Sequence, residues 1–335
     1  MADPLVSVHM ITYNHAPYIA EAIEGVLQQE VNFPIELVIG EDCSTDGTRD
    51  IVLEYQKKHP HIIRVITSDE NLGATKNAYR TGKACKGQYI AFCEGDDYWH
   101  HPHKLQKQVD YMETHPECGL VFSNYDICYV KSKKTIKGYV EYRKWEIPKK
   151  PNILDIIEAK SGMKLGILTC TTMVRRALYE QIIESDPYLH QSGKFLRGDT
   201  QFQAEIATIS QVHYIPESLA TYNQTEESAS RSKDITKVVR LQISDAELEI
   251  YLCHKYNLPS SIRDKKEANW FNGLLRLAFH TRRSELADGV RNKKKTFTSK
   301  EWLLYYGAKN VAFYYPLRLA ASFRDFFRKA FDEWI

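Results

Sequence analysis

The chain has 335 residues, 43% of them hydrophobic and 26% charged, with a formal charge of only +2. That is enough chain for a sizeable core, and so even a charge balance excludes a global field for nucleic acid. Seven cysteines, an odd number without a Cys-x-x-Cys pair, exclude a disulfide framework and predict a reduced, cytoplasmic setting.

Residues 5–11 are nearly all apolar or β-branched and predict a strand buried on both faces. This run has no basic leader or cleavage site, which argues against a signal peptide. After the break at 13–17, Ile19, Ala22, Ile23, Val26 and Leu27 fall on one helical stripe. The pattern then repeats. Strands at 35–39 and 62–67 alternate with helices at 48–58 and 74–86, and a further strand covers 89–93. Strand–helix units in series imply right-handed crossovers and a mostly parallel sheet, an α/β fold of nucleotide-binding type.

The strand at 89–93 stops at Glu94, Gly95, Asp96 and Asp97. Ligands of open parallel sheets bind outside the carboxyl ends of the strands. Carboxylates crowded there need a proton or a cation between them, and hard oxygen donors suit Mg2+ or Mn2+. The plain alternative is an acidic turn capping the helix that starts near Pro102. Asp42 ends the second strand on the same edge, where it can read a base or ribose, or form a turn before the helix at Thr48. Asn71, Lys76 and Asn77 bracket the start of the third helix. An anion or an ordinary helix cap fits that position equally.

Past a helix at 103–114 and a strand at 120–126, regularity fails. Residues 131–150 are rich in Lys, Arg, Tyr and Trp and read as a hairpin or mobile loop, although nucleic-acid surfaces share the composition. A helix at 153–159, a strand at 167–174 and a helix after Arg175 follow. Asp199, beside Arg197, opens another helix, where its carboxylate suits an N-cap. A short strand at 212–215 and a polar stretch at 222–233 come next, and the text is helical from Thr236. The predicted division is 1–235 (halves 1–125 and 126–235) and a helical region 236–335. His100, His101 and His103 lack the spacing of a zinc site and read as a solvent-facing rim. No stretch is long and uncharged enough to span a bilayer. The basic, aromatic residues 311–334 suit either an interfacial membrane helix or a helix packed on the catalytic domain or a second subunit.

Five patches keep a common order and spacing: 6–14 (Val-Ser-Val-His-Met-Ile-Thr-Tyr-Asn), 40–48 (Gly-Glu-Asp-Cys-Ser-Thr-Asp-Gly-Thr), 70–73 with Lys76-Asn77, 87–92, and 95–99 (Gly-Asp-Asp-Tyr-Trp). Over about the first 125 residues the chain thereby resembles the family-two glycosyltransferases. That resemblance implies a GT-A fold and inverting transfer of a sugar from a nucleoside diphosphate donor, UDP-linked by expectation, to a glycan or lipid-linked hydroxyl acceptor. It further implies that Thr12, Tyr13, Asn14 and Asp42 lie at the nucleoside, Tyr13 beside the base. Asn71, Lys76 and Asn77 would face the phosphates, Lys76 standing where relatives more often carry Arg. Glu94-Gly95-Asp96 stands at the family's Asp-x-Asp motif, with Asp96 the metal ligand and Asp97 holding the donor or orienting the motif. Gly198-Asp199 resembles the position of the catalytic base. The resemblance also departs at Thr225, where relatives carry a histidine. Either Thr225 or Glu226 would stand in as a ligand. Three alternatives stay open: a nucleotidyltransferase, disfavoured because 13–17 has neither Lys, Arg nor Gly; a non-catalytic nucleotide-sugar binding module; and an adaptor that binds no nucleotide.

Overall fold

A computed structural model describes residues 3–159, 165–196, 198–225 and 234–319. The chain divides into two compact units, Met1–Lys194 with Gly198–Glu226, and Phe195–Arg197 with Glu227–Ile335.

In the first unit, β1 (Val6–Thr12), β2 (Ile35–Glu41), β3 (Ile63–Ile66) and β4 (Tyr89–Phe92) alternate with α1 (Ile19–Leu27), α2 (Thr48–Lys58) and α3 (Ala74–Ala84). These four strands run parallel in the order β3-β2-β1-β4. Val6, Val8 and Met10 of β1, Leu37 and Ile39 of β2 and Ala91 of β4 join the buried stripe of α1 in one core. After α4 (Lys104–Thr114) come β5 (Cys118–Tyr129), β6 (Lys134–Ile136), α5 (Tyr139–Tyr142), α6 (Ile153–Ala159), β7 (Met173–Arg175), α7 (Arg176–Ser185), α8 (Pro187–His190), α9 (Asp199–Ile209) and β8 (Gln211–Gln224). β7 lies antiparallel between β4 and β5, so β5 runs the same way as β4. β8 pairs parallel to β5, and β6 returns antiparallel along the end of β5. The far ends of β5 and β8 therefore rise on the same edge of the sheet as the carboxyl ends of β1, β2 and β4.

Two expectations change here. The strand expected over 167–174 is a 3-10 turn at Thr169–Thr171 followed by the short β7. Thr171 and Thr172 donate their hydroxyls to the carbonyls of Leu168 and Thr169 at 2.7 and 2.8 Å, occupying acceptors that a strand would use. The expected strand at 212–215 instead continues to Gln224, across Pro216, because register shifts around Asn124 absorb the interruption.

The second unit is helical: α10 (Ile235–Lys255), α11 (Ser260–Thr281), α12 (Ser284–Lys293), α13 (Ser299–Lys309) and a further helical run at 311–319. Leu275, Ala278, Ala287, Val290 and Ala308 form its core. α10 and α11 share a buried ion pair, Lys266 to Glu249 at 3.2 Å. Thr298 and Glu301 close a reciprocal capping box at the start of α13. Tyr314 is buried against Phe279, whereas Phe313 and Tyr315 are exposed. No described helix is long and apolar enough to cross a membrane. Residues 320–334 of the expected terminal amphipathic helix lie outside the described residues.

Candidate active site

The acidic turn is pressed against the end of β1. Gly95 N donates to Ile11 O at 3.0 Å, and a Cβ on Gly95 would meet Thr12 Oγ1 at 2.7 Å and Ile19 Cδ1 at 2.9 Å. Only glycine fits this approach. The turn then splits its carboxylates between two surroundings. Asp97 is 4% exposed; its Oδ1 accepts the Asn223 amide at 2.9 Å, and its carboxyl also bonds the Cys170 thiol. Asn223 Nδ2 donates to Asp96 O at 2.8 Å, so the end of β8 grips both aspartates. The Asp96 carboxylate is turned outward, with Oδ1 3.9 Å from His15 Nδ1.

Glu94 lies between these two. Its Oε2 is buried with no hydrogen-bond partner among the described residues. Burial, then the charge of Asp96, pushes its carboxyl up to about 8, and the charge of Asp199 adds to the push. Burial with the charges of Asp96 and Glu94 also raises Asp97 well above the usual carboxylate range. One ligand atom each from Glu94, Asp97 and Cys170 lie within 4.8 Å of one another. The Cys170 thiol is pushed well up by burial and the adjacent carboxylates, so it serves as a donor to Asp97 rather than as a thiolate. The grouped atoms are thus two carboxylate oxygens and a thiol, with Asp96 outside the group; carboxylate oxygens crowded in this way, one of them orphaned, would suit a hard divalent cation, which would displace the protons they otherwise hold.

A second wall is built from the ends of β1 and β2. Tyr13 stands 44% exposed. Asn14, at φ +55°, ties the two loops together: its backbone N–H donates to Ser44 Oγ at 3.0 Å and its Oδ1 accepts from Thr45 N at 2.9 Å. Thr12 Oγ1 is buried without a partner among the described residues. Asp42 caps no helix; its Oδ1 and Oδ2 accept the amides of Leu72 and Gly73, each at 2.9 Å. Asn71 Nδ2 reaches Asp42 O at 3.3 Å, which fixes the loop before α3. The next residue, Cys43, is half-exposed at φ +61°, its thiol on Asp69 O at 3.4 Å. Lys76 is exposed on the first turn of α3. Asn77 points the other way: Nδ2 donates to Gly40 O at 2.8 Å and Oδ1 accepts from Arg80 at 2.9 Å, so this amide locks α3 to β2.

Asp199 begins α9 behind Gly198, which occupies the cap position. Its Oδ1 accepts the amide of Thr200 at 2.8 Å and the hydroxyl at 3.2 Å. The helix is anchored by a buried His190–Glu205 pair and by Gln201 Nε2 on Leu189 O at 2.9 Å. Asp199 is thereby held within electrostatic reach of Glu94. Thr225 follows the end of β8, while Glu226 lies outside the described residues. The three histidines near α4 face three separate partners, Thr221, Glu217 and Glu30. Sequence reasoning gave no site role to Thr169, Cys170, Asn223 or His15.

Over residues 7–182 the chain matches the family described as Glycosyl transferase family 2. An uncharacterized protein of Mycobacterium tuberculosis is 40% identical over 129 residues, 38% of this chain and 37% of that protein. A Bacillus subtilis protein provisionally named teichuronic acid biosynthesis glycosyltransferase TuaG is 38% identical over 124 residues, 37% of this chain and 48% of its own length. The matched stretch thus spans less than half the length of these relatives. Among solved structures, Staphylococcus aureus TarS 1–349 in complex with UDP-GlcNAc covers 92% of this chain and 89% of its own, with a TM-score of 0.55 at 20% identity. The mannosyltransferase PcManGT from Pyrobaculum calidifontis, solved with GDP-Man and Mn2+, covers 96% and 84% with a TM-score of 0.53 at 17% identity. These likenesses are in the fold.

Proposed function

Since the chain belongs to glycosyl transferase family 2 and carries the GT-A fold expected from its sequence, we propose that it is an inverting glycosyltransferase using a UDP-linked sugar. The observation that carries this reading is the orphaned, buried Glu94 oxygen among carboxylates at the end of β4, with Asp199 in electrostatic reach. In this reading Tyr13 offers a face to the base, the Asp42-fixed loop borders the nucleoside, and Lys76 offers a point charge to phosphate. Asp96, with Glu94, would hold a divalent cation, Mn2+ or Mg2+, whose charge offsets that of the diphosphate. Asp97, occupied by Asn223 and Cys170, orients the turn.

Asp199 acts as general base. It takes the proton of the acceptor hydroxyl as that oxygen attacks the anomeric carbon, while the bond from carbon to diphosphate oxygen breaks on the opposite face. The products are the glycosylated acceptor and the nucleoside diphosphate, with inverted anomeric configuration. The acceptor is a glycan or lipid-linked hydroxyl of surface polysaccharide assembly, and the exposed aromatics at 311–319 would supply any peripheral membrane contact.

Transfer assays on two variants test the reading. Asp199→Asn should lower turnover by roughly 10²-fold or more with donor affinity nearly unchanged. Asp96→Ala should abolish Mn2+-dependent transfer and weaken UDP binding in Mn2+. Donor binding without turnover in the unaltered protein, or unaltered turnover in either variant, would sink it.

A further inference from the structure

The segment 131–150, left over by the donor site, carries eight Lys or Arg against two Glu. The remainder of the chain holds 37 basic against 41 acidic side chains, so this segment alone makes the protein net positive. Lys133, Lys134, Lys137, Lys144, Lys149 and Lys150 are all exposed. None of these six pairs with a carboxylate among the described residues. Six exposed ammonium groups within one 20-residue segment concentrate positive charge, and an anionic ligand offsets it.

The segment is also built. Asn124 Oδ1 accepts the Val140 amide at 3.0 Å, and Asp126 Oδ1 accepts the Gly138 amide at 2.9 Å; Gly138 sits at φ +55°, a conformation that favours glycine. On this footing the rings form a staircase. Tyr125 and Tyr139 are stacked at 5.7 Å, Tyr139 and Tyr142 at 6.1 Å, and Trp145 stands edge-on to Tyr139 at 5.8 Å. The Arg143 guanidinium lies 5.8 Å from Tyr139 and 5.6 Å from Trp145. Tyr125 is buried, and Tyr142, at the outer end, is 62% exposed. β6 ties this staircase to the acidic turn: Cys128 of β5 pairs with Thr135 on one side and with Asn223, the partner of Asp97, on the other. Two inter-strand steps of about 4.8 Å each separate Thr135 from Asn223.

We infer that this platform binds an anionic glycan, a saccharide chain bearing phosphate or carboxylate groups, and so selects the acceptor. The inference rests on the proposed transferase reading for its purpose, not for its binding. The open ring of Tyr142 at the outer end suits the apolar face of a sugar ring, and dispersed lysines suit oxyanions spaced along a chain. A bilayer finds little to hold, since Tyr142 is the only large apolar side chain of the segment among the exposed ones.

Direct binding to the full chain tests it, with oligogalacturonate, poly(glycerol phosphate), a neutral maltooligosaccharide of equal length, a single-stranded oligonucleotide and phosphatidylglycerol vesicles as probes. Both anionic glycans should bind, and the neutral one should bind at least about tenfold more weakly. Charge reversal in Lys133→Glu/Lys134→Glu/Lys137→Glu should cost about tenfold, and more at low salt than at high. Tyr142→Ala should weaken both anionic glycans, and UDP binding should stay unchanged in each variant. Lys144→Glu/Lys149→Glu, one position within the staircase and one after it, provides an independent second reversal. Equal binding of the neutral glycan, equal or tighter binding of oligonucleotide or vesicles, or indifference to both reversals overturns the inference. Loss of transfer with anionic-glycan binding intact would count against the transferase reading alone.

Discussion

The Glu94 carboxyl ordinarily titrates near 4.5, but in the fold it holds its proton to about 8. Between these values the unfolded chain is ionised and the folded one is not, so without added cation the stability Glu94 contributes is full below 4.5 and lost as pH rises through 8. Glu94→Gln, which cannot ionise, should therefore gain in Tm over the unaltered protein as pH is raised from 4.5 to 8, by roughly several degrees. The same variant should lose the Tm increase that Mn2+ gives the unaltered protein. Thermal melts across that range check both; a pH-independent gap refutes the assignment. At this scale the sequence was only partly legible. Asp96 and Asp97 are adjacent and identical in chemistry, yet one faces outward and the other is buried under Asn223, 126 residues away. Nothing local distinguishes them. Asn77 reads as a phosphate contact by its place at a helix start, but the close passage of α3 over Gly40 turns it inward.

At the level of elements, α4 closes the back of the site with a buried cation. Lys104 is 0% exposed, its Nζ 2.8 Å from Gln108 Oε1 and 4.1 Å from the centre of the Trp99 ring. Gln108 Nε2 and Trp99 Nε1 then hold the carbonyls of Thr171 and Cys170, each at 2.8 Å. This grip fixes the 3-10 turn that presents Thr169 and Cys170 to the carboxyls. Burial lowers the Lys104 ammonium from 10.5 to about 7. Between these values the unfolded chain binds the extra proton, so stability rises with pH, and the penalty of the buried charge is full below 7. The Tm of Lys104→Met minus that of the unaltered protein should thus be most positive near pH 6.5 and shrink by pH 9.5. A gap that stays constant would show that Lys104 does not titrate in the fold. The strand–helix alternation through β4 was readable because apolar runs of period 2 and 3.6 are local signals. The 3-10 turn and the full length of β8 were not. One depends on threonine hydroxyls folding back, and the other on pairing with a strand about 90 residues earlier that carries it past a proline.

Across the whole molecule, the charge that looks neutral in composition is partitioned, with a basic platform on one end of the sheet and a carboxylate cluster at its middle. Composition averages over this division, and only the placement of β6 and α5 beside β5 reveals it. The cysteines are partitioned as well. Cys85, Cys93, Cys118, Cys170 and Cys253 are buried, and only Cys43 and Cys128 are partly open. Burial raises the thiols of Cys85 and Cys118 to about 12 and about 11, so these five should resist alkylation until the chain unfolds. Under native conditions a maleimide should modify two thiols per chain, counted by intact-mass spectrometry, and all seven in denaturant. Because Cys43 directly follows Asp42 in the loop proposed to border the nucleoside, UDP should slow its labelling and leave Cys128 unaffected. The unaltered protein thus carries its own chemical reporter of nucleotide occupancy, legible without a substrate assay or an engineered label.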